Sequence, residues 1–277
     1  MIRPALDYKR IATIKARATA ELKKHGCQAP VDLNLIIKGE DELDLCPGNY
    51  GDKFEGALDY DQNTGKFDIL INTVFADKDA NRARFTLAHE LGHYFIKEHA
   101  IALLDGGVLR YEFPATIKKG QLPDELQTEL EADCFASHLL VPEKALQDLL
   151  DQEQKADRKL SHHTVKQVAR HFRVSYQCAG GRVVSQANCP CALAVYPAVP
   201  GRIPWLEVSD SFENKFRISR NSRLKPLHAK SGDTCEQLDN WIEGVRIAQK
   251  NQLANITVVN GGHATSVFIV PWPDDQI

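Results

Sequence analysis

No run of this sequence is apolar for long enough to cross a bilayer. Its first residues, Met1-Ile2-Arg3-Pro4-Ala5-Leu6-Asp7, lack the apolar core of a secretory signal. Net charge is small, −3 over 277 residues, so no bulk attraction toward nucleic acid or an anionic membrane is expected. No internal repeat or low-complexity segment appears. The seven cysteines, Cys27, Cys46, Cys134, Cys178, Cys189, Cys191 and Cys235, are odd in number and scattered, which excludes a complete disulfide framework and points to reduced thiols in the cytoplasm. Cys189-Pro190-Cys191 is a tight pair, but its spacing matches no standard zinc module, so free thiols are expected there too. What remains, 43% hydrophobic and 26% charged, suits one large globular domain or two small ones.

Against that background one stretch stands out, His89-Glu90-Leu91-Gly92-His93, inside Arg84-Phe85-Thr86-Leu87-Ala88-His89-Glu90-Leu91-Gly92-His93-Tyr94-Phe95. On a helix, residues four apart share a face, so His89 and His93 can point at a common atom. Two neutral imidazoles at that spacing suit Zn²⁺, and Glu90 between them can work as a base on a water at the metal. Gly92, on the same side, would keep the approach to the metal open. Phe85, Leu87, Ala88, Leu91, Phe95 and Ile96 make the helix a buried one, where unpartnered histidines and a glutamate would be costly.

A catalytic zinc usually takes three protein ligands. The segment Leu126-Gln127-Thr128-Glu129-Leu130-Glu131-Ala132-Asp133-Cys134 offers three acids. At about 100° per residue, Glu129 and Asp133 fall within the arc of Leu126, Leu130, Ala136 and Leu140, and Glu131 falls opposite. Glu129 is therefore the expected third ligand. Asp133 is expected to accept the free N–H of a zinc histidine. Glu131 is expected on the solvated surface.

The rest of the chain reads as α+β. A helix is expected over 5–25, stopped near Gly26, and a shorter one after Pro30. Glycines punctuate short strands through 43–72, with a hairpin tip at Asn63-Thr64-Gly65 and a strand at 67–72 whose free edge could take an extended peptide. The metal helix is expected over 77–97, a long connection over 98–122, a helix over 124–140, another from Pro142, and a charged link over 151–159. Two short helices over 161–187 resemble a helix-turn-helix, although Gly180-Gly181 would weaken a recognition helix. Strands are expected over 192–209 and 255–270, with a helix near 234–250 between them. The expected division is residues 1–160, 161–187 and 188–277.

Two motifs now carry a family resemblance. The stretch Arg84 to His93 resembles the metal-helix signature of the ImmA/IrrE family of zinc metallopeptidases. The run Glu129-Leu130-Glu131-Ala132-Asp133-Cys134-Phe135-Ala136-Ser137-His138-Leu139-Leu140-Val141-Pro142 resembles its second signature, and Val31-Asp32-Leu33 its usual opening; together they cover roughly residues 28–187. The resemblance implies a zincin-like metallopeptidase domain with a small sheet, in which His89, His93 and Glu129 bind zinc and Glu90 is catalytic. Asp133 stands where many members have asparagine. It also implies an intracellular enzyme that cleaves a helix-turn-helix repressor and so switches on stress-response or mobile-element genes; the small net charge and the lack of a long apolar run argue against direct DNA binding and a membrane. Residues 188–277 match nothing in that pattern and read as a small α+β domain, a candidate regulator. Tyr111, His99 and Arg110 are open candidates for a second oxyanion donor. The rival reading is a metal-containing transcription regulator, or a protein that sequesters a repressor without cutting it.

Overall fold

The computed structural model describes residues 6–105, 109–111, 123–155, 160–198, 205–216, 223–227, 230–243, 252–260 and 264–271. These form two compact units. One comprises Leu6–Ala145 with Arg170–Ser175, and the other Leu146–Ala169 with Tyr176–Ile277.

The first unit opens with α1 (Tyr8–Lys24) and α2 (Leu33–Lys38). Asp7 caps α1 by accepting from Lys9 N, and Asp32 caps α2 by accepting from Asn34 N. Then come β1 (Leu43–Gly48), β2 (Gly56–Asp61), β3 (Lys66–Asn72), α3 (Thr73–Ala76), α4 (Ala80–Phe95), α5 (Lys97–Leu104), β4 (Leu109–Tyr111) and α6 (Pro123–Leu140). The sheet order is β1-β3-β2-β4. β1 runs parallel to β3, while β2 runs antiparallel to both β3 and β4. β3 is thus paired along both edges, and the expected free edge for an incoming peptide is not there. Its alternating inward residues Phe67, Ile69 and Ile71 join Ala57 and Leu58 in the core.

Asp79 starts α4 by accepting from Asn81 N and Arg82 N, each at 3.0 Å. The helix stops at Phe95 because Ile96 turns extended, at φ −81 and ψ 105. α5 follows at once, so the expected 98–122 connection begins as helix. Its later part, with Gly106, Gly107, Pro114 and Gly120, lies outside the described residues except for β4.

α6 packs against α4 on one side and α1 on the other. Between α4 and α6 the approach is close. A Cβ on Gly92 would stand 3.1 Å from both Cα and O of Ala132. Gly92 therefore serves helix contact rather than an open path to a metal. That contact brings α6 within side-chain reach of the two histidines.

The second unit holds most of α7 (Glu143–Lys155) and of α8 (His162–Phe172), then α9 (Tyr176–Gln186), β5 (Ala192–Pro197), β6 (Trp205–Val208), α10 (Asp210–Phe216), β7 (Arg223–Leu224), β8 (Gly232–Gln237), β9 (Ile242–Glu243), β10 (Leu253–Asn260) and β11 (Ala264–Pro271). α7 reaches Lys155, so much of the expected charged link is helical. The antiparallel sheet runs β6-β5-β11-β10-β8. Phe212, Phe216, Trp241, Ile256 and Ile269 fill one core cluster. The helix expected near 234–250 is wrong over its first part: Gly232–Gln237 pairs antiparallel with β10, and a single 3-10 turn follows at Leu238–Asn240. Residues 244–250 lie outside the described residues.

α8 and α9 are short helices within the expected 161–187 span, and Gly180-Gly181 has a packing reason. Cβ atoms there would meet Leu193 at 3.0 Å and Glu207 at 2.4 Å, so the glycines let α9 lie on β5 and β6.

Candidate metal centre

α4 and α6 build the site between them. His89, Glu90 and His93 are each 0% exposed on α4. His89 Nε2 and His93 Nε2 stand 3.0 Å apart, facing each other as the i, i+4 spacing requires. From α6, Glu129 Oε2 lies 3.2 Å from His89 Nε2, and Glu129 Oε1 lies 3.6 Å from His93 Nε2. Asp133, one turn later on the same face, places Oδ1 3.1 Å from His89 Nδ1. Two acids four residues apart thus grip opposite edges of one imidazole.

Charge explains the arrangement. Burial opposes a charged His89, yet the hydrogen bonds and charges of Asp133 and Glu129 outweigh it and lift His89 to about 10. Burial, with the charge of His89 and His99 nearby, holds His93 well below its ordinary 6.5. Burial raises Glu90 to about 8, the charge of Glu129 adding to it, while His89 and the Leu58 main chain partly offset the rise. Neither Glu90 carboxyl oxygen meets a partner at hydrogen-bonding geometry, and Glu129 Oε2 has only the close approach of His89 Nε2. β2 closes one side of Glu90: a Cβ on Gly56 would lie 3.0 Å from Glu90 Oε1 and 2.4 Å from Thr86 Cγ2. Nothing larger than glycine fits between strand and base.

These residues fit a divalent metal. Ligand atoms held about 2.0–2.1 Å from a tetrahedral zinc stand about 3.3 Å apart. The observed separations, 3.0, 3.2 and 3.6 Å, bracket that figure. Buried carboxylate oxygens without partners cost about 1–3 kcal/mol or more each, and a cation shared by the three side chains removes part of that cost.

Residues 53–183 match the family model of the IrrE N-terminal-like domain, a peptidase family. That match supports membership of the ImmA/IrrE family for this part of the chain. A search of the curated proteins finds no match. The matched span contains both motifs and begins after Val31-Asp32-Leu33. The IrrE-like domain is of the metallopeptidase type, which implies a metal, and the His89, His93 and Glu129 group is where side chains could hold it.

Two expectations about the IrrE-like domain need correction. Glu131 is not solvated; it is 3% exposed. A helical wheel assumes one buried face, and α6 has two, because α1 covers the side opposite α4. There Glu131 pairs closely with Arg10, accepts from Gln127 Nε2 at 2.9 Å and faces His99 Nε2 at 3.2 Å. His99, in turn, is a poor oxyanion donor. It is buried, with Nδ1 3.1 Å from His93 Nδ1 and Nε2 turned to Glu131. The side chains of Arg110 and Tyr111 lie outside the described residues.

No disulfide joins any of the seven cysteines, and among the described residues none joins a candidate metal group. A second cluster, Glu21, His25 and Glu40, lies elsewhere on the unit. Arg17 pairs with Glu21 and Lys24 with Glu40, so its charges balance without an ion. No helix among the described residues is long and apolar enough to cross a membrane.

Proposed function

We propose that the protein is a zinc-dependent endopeptidase that cleaves a helix-turn-helix transcriptional repressor and so derepresses stress-response or mobile-element genes. The observation that carries this reading is the convergence of His89 Nε2, His93 Nε2 and the Glu129 carboxylate beside a buried, unpartnered Glu90. A structural zinc takes four protein ligands, whereas three protein ligands with an adjacent base suit hydrolysis.

His89, His93 and Glu129 would hold the metal, which supplies Lewis-acid activation of water and of the scissile carbonyl. Glu90 takes a proton from the attacking water and returns it to the leaving amine nitrogen. Its position suits both tasks: burial keeps its proton affinity near neutrality, and Gly56 holds β2 against it. Asp133 accepts a hydrogen bond from His89 Nδ1–H, so Nε2 is the nitrogen left to a metal once its own proton has gone.

The substrate is the family's implication and needs its own test. The burial of Ala179, Gly180, Arg182, Val183 and Val184 on α9 weighs against that helix reading a DNA groove. A repressor substrate puts the protein in the cytoplasm. Residues 188–277 are assigned a modulating role and no catalytic ligand.

The test is incubation of the zinc-loaded protein with a helix-turn-helix repressor, taken from a neighbouring gene where one is found, followed by gel and mass spectrometry. Cleavage is expected with the wild type and none with Glu90→Gln, which keeps shape and zinc but cannot take the proton. Equal cleavage by zinc-replete Glu90→Gln refutes the mechanism. Stable capture without cleavage by the wild type favours sequestration.

A further inference from the structure

We propose that His99, backed by Glu131 and Arg10, is a positioning residue that fixes the metal-binding tautomer of His93. The inference rests on the metal-site reading above and extends it to three side chains that no metal-ligand spacing would select.

His93 can offer Nε2 to a metal only if its proton sits on Nδ1. Whether it does depends on what Nδ1 faces. It faces another imidazole nitrogen, His99 Nδ1, at 3.1 Å. Two ring nitrogens at that distance need one proton between them, and nothing in the pair alone decides which ring owns it. The decision comes from the far edge of His99. Its Nε2 lies 3.2 Å from Glu131 Oε2. A carboxylate only accepts, so His99 carries its proton on Nε2 and leaves Nδ1 as an acceptor. His93 must then donate from Nδ1, and its Nε2 lone pair faces His89 and Glu129.

Glu131 is kept an acceptor by its other two contacts. Arg10 Nη2 pairs closely with Glu131 Oε2, and Gln127 Nε2 donates to Oε1 at 2.9 Å. Arg10 is itself held from the other side, with Nη1 3.1 Å from Glu98 Oε1. The chain of contacts therefore runs from α1 through α6 and α5 to α4. His93, His99 and Glu131 are buried at 0%, 5% and 3% exposure, so bulk water is not a ready substitute for any of them. The opposite tautomer of His99 would set a bare nitrogen against a carboxylate and push the His93 proton onto Nε2, where it would occupy the metal position. Asp133 performs the same task for His89 in a single step. His93 is served by a relay because the acid on its side, Glu131, reaches it only through His99.

The test compares zinc affinity, by competition against a chromophoric chelator, and the Co²⁺ ligand-field spectrum in wild type, His99→Leu, His99→Gln and Glu131→Gln. Thermal stability of each metal-free protein is recorded alongside. His99→Leu removes the acceptor, and zinc affinity is expected to fall about 10–100-fold, with an altered Co²⁺ spectrum. His99→Gln keeps a carbonyl oxygen in reach of His93 Nδ1 and should recover most of the loss, which a merely space-filling role would not explain. Glu131→Gln should weaken binding in the same direction. Unchanged affinity and spectrum in a folded His99→Leu overturn the relay. If His99→Leu does not fold, unchanged affinity in Glu131→Gln together with loss in His99→Gln overturns it instead. A wild type that binds no zinc overturns the metal-site reading itself, whatever the variants do.

Discussion

His89 and Glu90 are neighbours, both wholly buried, and both hold protons more tightly than such groups do in water, for opposite reasons. Two carboxylates attract a proton to His89, whereas removal from water denies Glu90 its charge. A divalent cation competes with the His89 proton for the same point in space. With His89 at about 10, that proton is present at pH 8 and must leave when metal enters. Glu90, at about 8, gives up a further fraction as positive charge arrives. Zinc binding at pH 8 is therefore expected to release about one proton or more per chain, and affinity should rise with pH toward 10. Calorimetry in two buffers of different ionisation enthalpy measures this. Binding with no proton release would contradict the assigned ligand environment of His89.

At the scale of elements, the site is the contact between α4 and α6, and Gly92 sets its closeness. Gly92→Ala should gain about 1 kcal/mol from helix propensity. The added Cβ, however, meets Ala132 backbone atoms at 3.1 Å, which cannot swing aside. Overpacking of that kind costs about 1–3 kcal/mol. A net loss of about 1 kcal/mol is expected in the urea midpoint of metal-free protein, with weaker zinc binding as α6 is pushed away from the histidines. A variant that is more stable and binds zinc as tightly as wild type would refute the close-approach role. What was legible in the sequence divides along the same line. His89 with His93, and Glu129 with Asp133, were legible as candidates because each pair is spaced four residues apart within one helix, and Glu90 because it falls between the two histidines. His99 and Glu131 were not, since His99 on α5 meets His93 on α4 and Glu131 on α6, Glu131 also meets Arg10 on α1, and only tertiary packing brings them together. β8 escaped for a related reason: as an edge strand with most residues exposed it shows no alternation, and its pairing with β10 defines it.

On the scale of the whole molecule, every proposed ligand and all members of the relay belong to the unit of Leu6–Ala145 and Arg170–Ser175. α9 belongs to the other, where Gly180 and Gly181 rest against Leu193 and Glu207. A chain truncated after Gln186 should therefore keep zinc within a few-fold of wild-type affinity, while α9, stripped of β5 and β6, loses amide protection in hydrogen exchange. Retained protection over α9 would show that the sheet does not hold it. Loss of zinc would show that residues 187–277 support the metal unit. If the modulating role is right, repressor cleavage by this truncated chain changes in rate or in its dependence on a signal, and unchanged cleavage refutes it.

The centre itself is tested most directly by counting zinc per chain in native mass spectrometry of wild type, Glu90→Gln and Glu129→Ala. About one zinc is expected in wild type and in Glu90→Gln, and a large loss in Glu129→Ala with the fold retained. A wild type without zinc, or a Glu129→Ala variant that keeps it as tightly as wild type, would contradict the account.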